Sequence, residues 1–392
     1  MKINLRRVTT GAVLIAAASA FLFCTGFTKA SDHGNHENGY LKSATYYSDD
    51  WVINFWNSES SHMDEELKQI REDGFNSIIL VVPWREFQPS MAPEHYNDYA
   101  WEKFDRVMKA AKAQDLKVML RVGYTWDYYS SENVLARYEK LLYDSETKKA
   151  WLHYAKRLYE KASAYDNFSG GFITWEDFWN FAENSVFYGS GLAGRKMASK
   201  CGYTQYVKEH YTLEELEEMY QDTFKTYEDV YLPDSLNTYS RKVFYQFYDD
   251  FLNKILAETQ AVFPDLSMEV RLDIDPVKRP DGTLEGVFHD ATFTCGSSGF
   301  TSAMYSVAMG FESNGQELSA AQALAGTGQN LDRLSAANGG KKLYVDQFLF
   351  TDNTPGFEQN AKLTESEKSA YLDGVADIFK AKTLGYAIWT YR

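Results

Sequence analysis

From Trp51 onward, short apolar runs alternate with amphipathic stretches of helical period. The apolar runs predict eight strands: Trp51 to Asn57, Phe75 to Trp84, Leu116 to Gly123, Gly170 to Trp175, Leu266 to Asp273, Ser302 to Met309, Lys342 to Phe350 and Leu384 to Tyr391. The second, FNSIILVVPW, is β-branched and continuous, as a strand buried on both faces must be. Between the strands, Met63 to Asp73 predicts a helix closed by Gly74, a natural C-terminal cap. Tyr99 to Gln114 predicts another, with Trp101, Phe104, Val107, Met108 and Ala111 on one face. Further helices are expected over Trp151 to Tyr165, over Tyr239 to Phe263 (ended by Pro264), over Ser319 to Ala337 and over Thr364 to Ala381. The stretch from Asn180 to Leu236 is too long for a simple loop. It holds its own helix, opened by Thr212 with Glu215 three residues on, the pattern of a capping box.

Strands that each, except the last, precede a helix are the arrangement of a (β/α)8 TIM barrel, here with a long insertion, residues 180–236, after strand four. The alternative, a doubly wound open sheet, is disfavoured because no glycine-rich phosphate turn follows the first strand. The barrel is expected over residues 51–392, preceded by a polar linker over 31–50. The sequence stops just past strand eight without an eighth helix, which leaves open an unusual closure or a piece of a longer protein.

Residues 1–30 lie outside this pattern. A basic start, an uncharged stretch from Val8 to Phe27 and small residues up to Ala30 read as a signal peptide, so the protein is expected to be secreted or held at the cell surface. Left uncut, the same stretch is about long enough for a membrane anchor. The whole chain of 392 residues carries 40 basic and 55 acidic side chains, a net charge of −15. That sign argues against nucleic acid as a partner. Export permits a disulfide between Cys201 and Cys295, although two isolated thiols fit equally well. Asp32 to His36 reads as a solvated tail rather than a metal cluster, and no metal motif occurs elsewhere, so no cofactor is expected.

Aromatic residues make up 16% of the chain, far more than core packing needs. On the predicted barrel, Trp56, Trp84, Trp126, Trp175, Trp179 and Trp389 fall at or after strand ends, on the rim where barrel active sites are built. Indole faces match the C–H faces of pyranose rings while their N–H groups remain free to donate. Six on one rim point to a polysaccharide or oligosaccharide ligand, neutral or cationic given the acidic surroundings. Each taken singly is better explained as a cap on the barrel.

Glycoside hydrolysis requires two carboxyl groups flanking the scissile bond. Glu176, in FITWEDFWN at the end of strand four, is the expected acid, because aromatic burial raises a carboxyl pKa. Asp177 competes, and strand alternation is expected to let only one of the two enter the mouth; an N-cap acid for a following helix is the structural alternative. The second carboxyl is less defined. Asp346 and Gln347 are neighbours on strand seven, Asp352 and Glu358 follow in a loop, and Asp273 and Asp275 end strand five. Arg121, late in strand three, is placed to hold an ionised partner, and Tyr305 on strand six to donate to it.

The block VVPWREFQPSMAPEHYNDYAWEKFDRVMKAAKAQDLKVMLRVGY resembles the second and third β/α units of clan A glycoside hydrolases, and GYAIWTYR is similar to their strand eight. The resemblance implies a sugar-flooring role for Trp389 and an acid/base role for Glu176, although Trp175 stands where the clan usually has Asn. It also implies a nucleophilic Glu near the end of strand seven, where Gln347 stands, and an amide can be neither nucleophile nor base. Asp346 takes that role by a one-residue shift, or another acid does, or the protein is a carbohydrate-binding relative without activity. As a retaining enzyme, the expected form, it would hold its carboxyls about 5–5.5 Å apart; about 6.5–9.5 Å would mean inversion.

Overall fold

The computed structural model describes residues 39–391 apart from 61, 126–131, 236–237, 265, 270–275, 288–299, 307–315, 338, 341 and 350–360. The leader, Trp126, Asp273, Asp275, Cys295, Asp352 and Glu358 therefore lie outside the described residues. Strand β1 is Leu41–Tyr46, followed by helices α1 (Val52–Phe55) and α2 (Met63–Glu72). β2 (Ser77–Val82) leads to α3 (Trp84–Phe87) and α4 (Asp98–Ala113), and β3 (Lys117–Val122) to α5 (Glu132–Lys140) and α6 (Ser145–Ala162). After β4 (Phe168–Ile173) come α7 (Trp175–Asn184), α8 (Leu192–Cys201), α9 (Tyr203–His210), α10 (Leu213–Tyr220) and α11 (Ser240–Gln260). Then follow β5 (Leu266–Met268), β6 (Phe300–Ser306), α12 (Ala320–Ala337), β7 (Lys342–Leu349), α13 (Lys368–Lys382) and β8 (Thr383–Ile388).

All eight strands form one parallel sheet in the order β6-β7-β8-β1-β2-β3-β4-β5. Its two edges, β5 and β6, approach each other, which is the arrangement of a (β/α)8 barrel. Between them the described residues form a two-stranded hairpin, Pro276–Lys278 with Leu284–Gly286, instead of the helix that strict alternation requires.

The first strand departs from expectation. Trp51 to Asn57 does not form it; residues 52–55 are helical, and β1 lies within the stretch read as a linker. Its partners explain the concealment. Ser43 is in register with Ser77 on one side and with Ala387 on the other, and is fully buried, so a polar residue occupies a core position. Local signals elsewhere are realised as expected. Thr212 and Glu215 close both arms of the capping box of α10, and Gly74 takes a φ of +92° after α2. Gly123, at φ +82° after β3, is required twice over, since a Cβ there would meet the Trp151 ring at 3.0 Å. Cys201 is a buried free thiol, and burial pushes its pKa up to about 12.

The barrel's period of two sets up its mouth. Ile79, Met119, Phe172, Tyr344 and Ala387 form a separate buried cluster drawn from five strands, the apolar floor of the interior. Two residues further along the same strand paths, hence on the same face, come Val81, Arg121, Thr174, Asp346 and Trp389. The floor is apolar, and the next layer brings Arg121, Thr174 and Asp346 to the mouth.

The larger core lies between sheet and helices and is dominated by rings. Trp84 is wholly buried, with the rings of Trp151 and Tyr138 at 5.2 and 5.6 Å and its indole N–H donating to Gln88 Oε1 at 2.6 Å. Trp84→Ala is expected to cost about 3–5 kcal/mol of stability, measured by urea unfolding.

Candidate active site

Strand β4 ends at Ile173, and Thr174 caps the helix that follows: its hydroxyl accepts from the Asp177 backbone N–H at 2.9 Å. Glu176 and Asp177 therefore stand in the first turn of α7 and not on the strand. Helical geometry replaces strand alternation, and both carboxylates reach Arg121, contrary to the expectation that only one would enter the mouth. The Arg121 guanidinium donates to both oxygens of Asp177, at 2.8 and 3.1 Å, and to Glu176 Oε2 at 3.3 Å. Asp177 is completely buried, whereas the Glu176 side chain remains 21% exposed. The helix N-terminus adds its own attraction for negative charge.

Arg121 is itself buried, and the carboxylates beside it raise its pKa well above the ordinary value although burial opposes them. Its guanidinium lies 5.1 Å from the Tyr124 ring centre and 5.5 Å from that of Trp389. At Asp177, burial outweighs the guanidinium and sets the carboxyl above the ordinary carboxylate value.

Across the mouth, β7 breaks register with β6 between the pairs Ala303/Val345 and Met304/Gln347, which leaves Asp346 as the additional residue of a bulge. Asp346 is only 3% exposed, and its Oδ1 has no hydrogen-bond partner. Its carboxyl lies against that of Glu269, the residue directly after β5, whose backbone N–H donates to the Ile173 carbonyl at 2.9 Å. Burial pushes Asp346 up to about 7; Arg121 pulls the other way, and the charge of Glu176 adds to the rise. Gln347, beside it, is half-buried, and its Oε1 is without a partner.

Glu269 was not singled out by the sequence, which directs attention to Asp273 and Asp275. The strand period was the signal that could have found it, because Ser267 is in register with the floor residue Phe172 and Glu269 lies two further on.

The tryptophan rim is corrected more deeply. Trp56, Trp84 and Trp175 are fully buried, and each uses its N–H internally: Trp56 donates to the Val81 carbonyl at 2.9 Å, Trp84 to Gln88, and Trp175 to Asp249 Oδ1 at 2.8 Å. An indole in the core with its N–H committed offers no face to a sugar. The Trp179 backbone lies in α7 and that of Tyr305 in β6, and the side chains of both lie outside the described residues. Trp389 does reach the mouth. It packs edge-on at 6.4 Å with Trp51, which is 42% exposed, and within 6.2 Å of Tyr47. Trp51, expected as the start of a strand, is thus the missed aromatic of the site.

No protein-family model and no curated protein sequence matches the chain. Solved structures do. An exo-β-1,4-mannosidase, Op5Man5 from Opitutaceae bacterium strain TAV5, matches with TM-score 0.53 and 12% identity over 90% of this chain and 52% of that one. A β-galactosidase from the psychrophilic Marinomonas ef1 matches with TM-score 0.55 and 13% identity, over 90% and 54%. An endo-1,4-β-mannanase from Rhizomucor miehei matches with TM-score 0.51 and 10% identity, over 90% and 86%. The chain spans about half the length of the first two. The chain shares the fold of these structures, and no single family is singled out by them.

The raised Asp346 carboxyl has a consequence for stability. Between its ordinary value of 3.8 and about 7, the folded state holds the proton that the unfolded state has lost, so stability falls as pH rises through that window. Asp346→Asn removes this dependence. The variant's melting temperature is expected to gain on the parent's as pH rises from about 4 to about 7 and to keep a constant lead above it. A lead that does not vary with pH would contradict the assignment.

Proposed function

We propose that the chain is an exported glycoside hydrolase that cleaves O-glycosidic bonds in a polysaccharide, with Glu176 and Asp346 as its paired carboxyl groups. The observation that carries this reading is their placement. One follows strand four and the other lies on strand seven, both near Arg121, above an apolar floor and beside a partly exposed indole. Trp389 and Trp51 would floor a pyranose ring, and the free carbonyl oxygen of the Gln347 amide would accept from a sugar hydroxyl. The net charge of −15 favours neutral or amino sugars over polyanions. The solved structures of similar fold are named as enzymes of mannose- and galactose-containing glycosides, which supports the carbohydrate class.

A second reading, a carbohydrate-binding protein without turnover, is favoured by Gln347, which stands where the resemblance places a nucleophilic Glu. The two separate on soluble glucans, mannans, galactans and amino-sugar polymers, assayed for new reducing ends and for binding. Hydrolysis that falls about 10²–10⁴-fold in Glu176→Gln and in Asp346→Asn supports the hydrolase. Binding to a polymer without new reducing ends supports the second reading, and neither binding nor turnover on any polymer overturns both.

A further inference from the structure

The mouth contains four carboxylates, two beyond the one expected for each strand role, and they are not equivalent. Glu176 and Asp177 both contact Arg121. Asp346 and Glu269 instead face each other, one on strand seven and the other directly after strand five, and both are buried. Two ionised carboxylates in contact repel and offer no donor, whereas one proton between them makes the contact a strong hydrogen bond. The remaining titratable or charged groups around Asp346, among the described residues, are Arg121, Tyr124, Glu176, Asp177 and Tyr344. Among these Arg121 is the one cation, and its hydrogen bonds to carboxylates go to Glu176 and Asp177.

We infer that Asp346 and Glu269 form a carboxyl pair holding a single proton at neutral pH, so that strand seven supplies the acid while Glu176, clamped by Arg121, is the ionised partner. The catalytic half of this inference rests on the hydrolase reading, and it reverses the roles that the clan resemblance implies for the two residues. Burial of both carboxyls and the absence of a hydrogen-bond partner for Asp346 Oδ1 support it; the upward displacement of the Asp346 pKa points the same way.

The chemistry balances over two steps. A Glu176 carboxylate oxygen attacks the anomeric carbon as its bond to the leaving oxygen breaks, and the electron pair on that oxygen takes the proton of the pair. A water then attacks the glycosyl ester, the doubly ionised Asp346–Glu269 pair removes one of the water's protons, and Glu176 leaves as a carboxylate. One water is consumed, one new anomeric hydroxyl and one alcohol are formed, and the pair regains its proton.

The test is a carboxyl ¹³C NMR titration of the full chain labelled at Asp and Glu side-chain carboxyls. The inference predicts an Asp resonance, absent in Asp346→Asn, with a midpoint near neutrality. In the unmutated chain a Glu resonance should share that titration, as coupled groups do, so the result does not depend on a variant folding. In Glu269→Gln the Asp346 midpoint should fall by a unit or more. An Asp346 resonance with an ordinary carboxylate midpoint, or one indifferent to Glu269→Gln, overturns the pair whether or not the protein hydrolyses anything. On a polymer that is cleaved, the alkaline limb of kcat/KM should follow the same midpoint and move with it in Glu269→Gln. A fixed limb overturns the role reversal while leaving the pair intact, and an absence of cleavage on every polymer counts against the hydrolase reading alone.

Discussion

The buried guanidinium of Arg121 is the constraint on which the mouth of this barrel depends. It projects from the third strand into a layer that also contains carboxylates placed after the fourth and fifth strands and on the seventh, and it binds two of them directly. A charge taken out of water is costly unless it is paired and hydrogen-bonded, so the position of Arg121 fixes those of its partners. Thr174 completes the arrangement from below, capping α7 while its hydroxyl donates to Asp177 Oδ2 at 2.7 Å. Strand three, the end of strand four and the start of α7 are thereby locked as one unit. Glu176, the member left partly open, is displayed on a rigid support.

The same layer contains an arrangement that folding alone does not favour. Asp346 occupies a bulge, is almost fully buried and faces another carboxyl. Nothing in folding alone favours that juxtaposition; an apolar residue would continue the floor set by Tyr344 two positions earlier. Local departures from the rules of good packing are expected at functional sites, and this one lies at the carboxyl end of the strands, where barrel chemistry is carried out.

Much of the barrel was legible because its strands are buried on both faces and its helices on one. FNSIILVVPW and the 3.6-residue stripe from Trp101 to Ala111 each admit one element type, and the structure returns a strand at Ser77–Val82 and a helix at Asp98–Ala113. β1 was not legible because its buried positions include Ser43 and Thr45, polar residues whose placement inside the barrel only the neighbouring strands reveal. The site shows the same division. Arg121 and Glu176 were found from strand-end position, but Thr174 followed by Asp177 was a helix-start signal passed over, and it would have placed both acids in the mouth. The tryptophans misled for a physical reason: a strand-end position does not say whether the indole turns outward or inward, and Trp56, Trp84 and Trp175 found acceptors inside. Glu269 was obscured by the two acids that closely follow it, and only its contact with Asp346 across the barrel distinguishes it.

The central claim, that one buried guanidinium organises the carboxylates of the mouth, is tested most directly by a double-mutant cycle on stability between Arg121→Met and Asp177→Leu. Arg121→Met leaves the buried Asp177 without its cation and Asp177→Leu leaves Arg121 with Glu176 alone, whereas the double variant removes both members of the buried pair. The account predicts a coupling free energy of about 2 kcal/mol or more by urea unfolding, with the double variant more stable than Arg121→Met alone. Effects that add to within about 0.5 kcal/mol would contradict it.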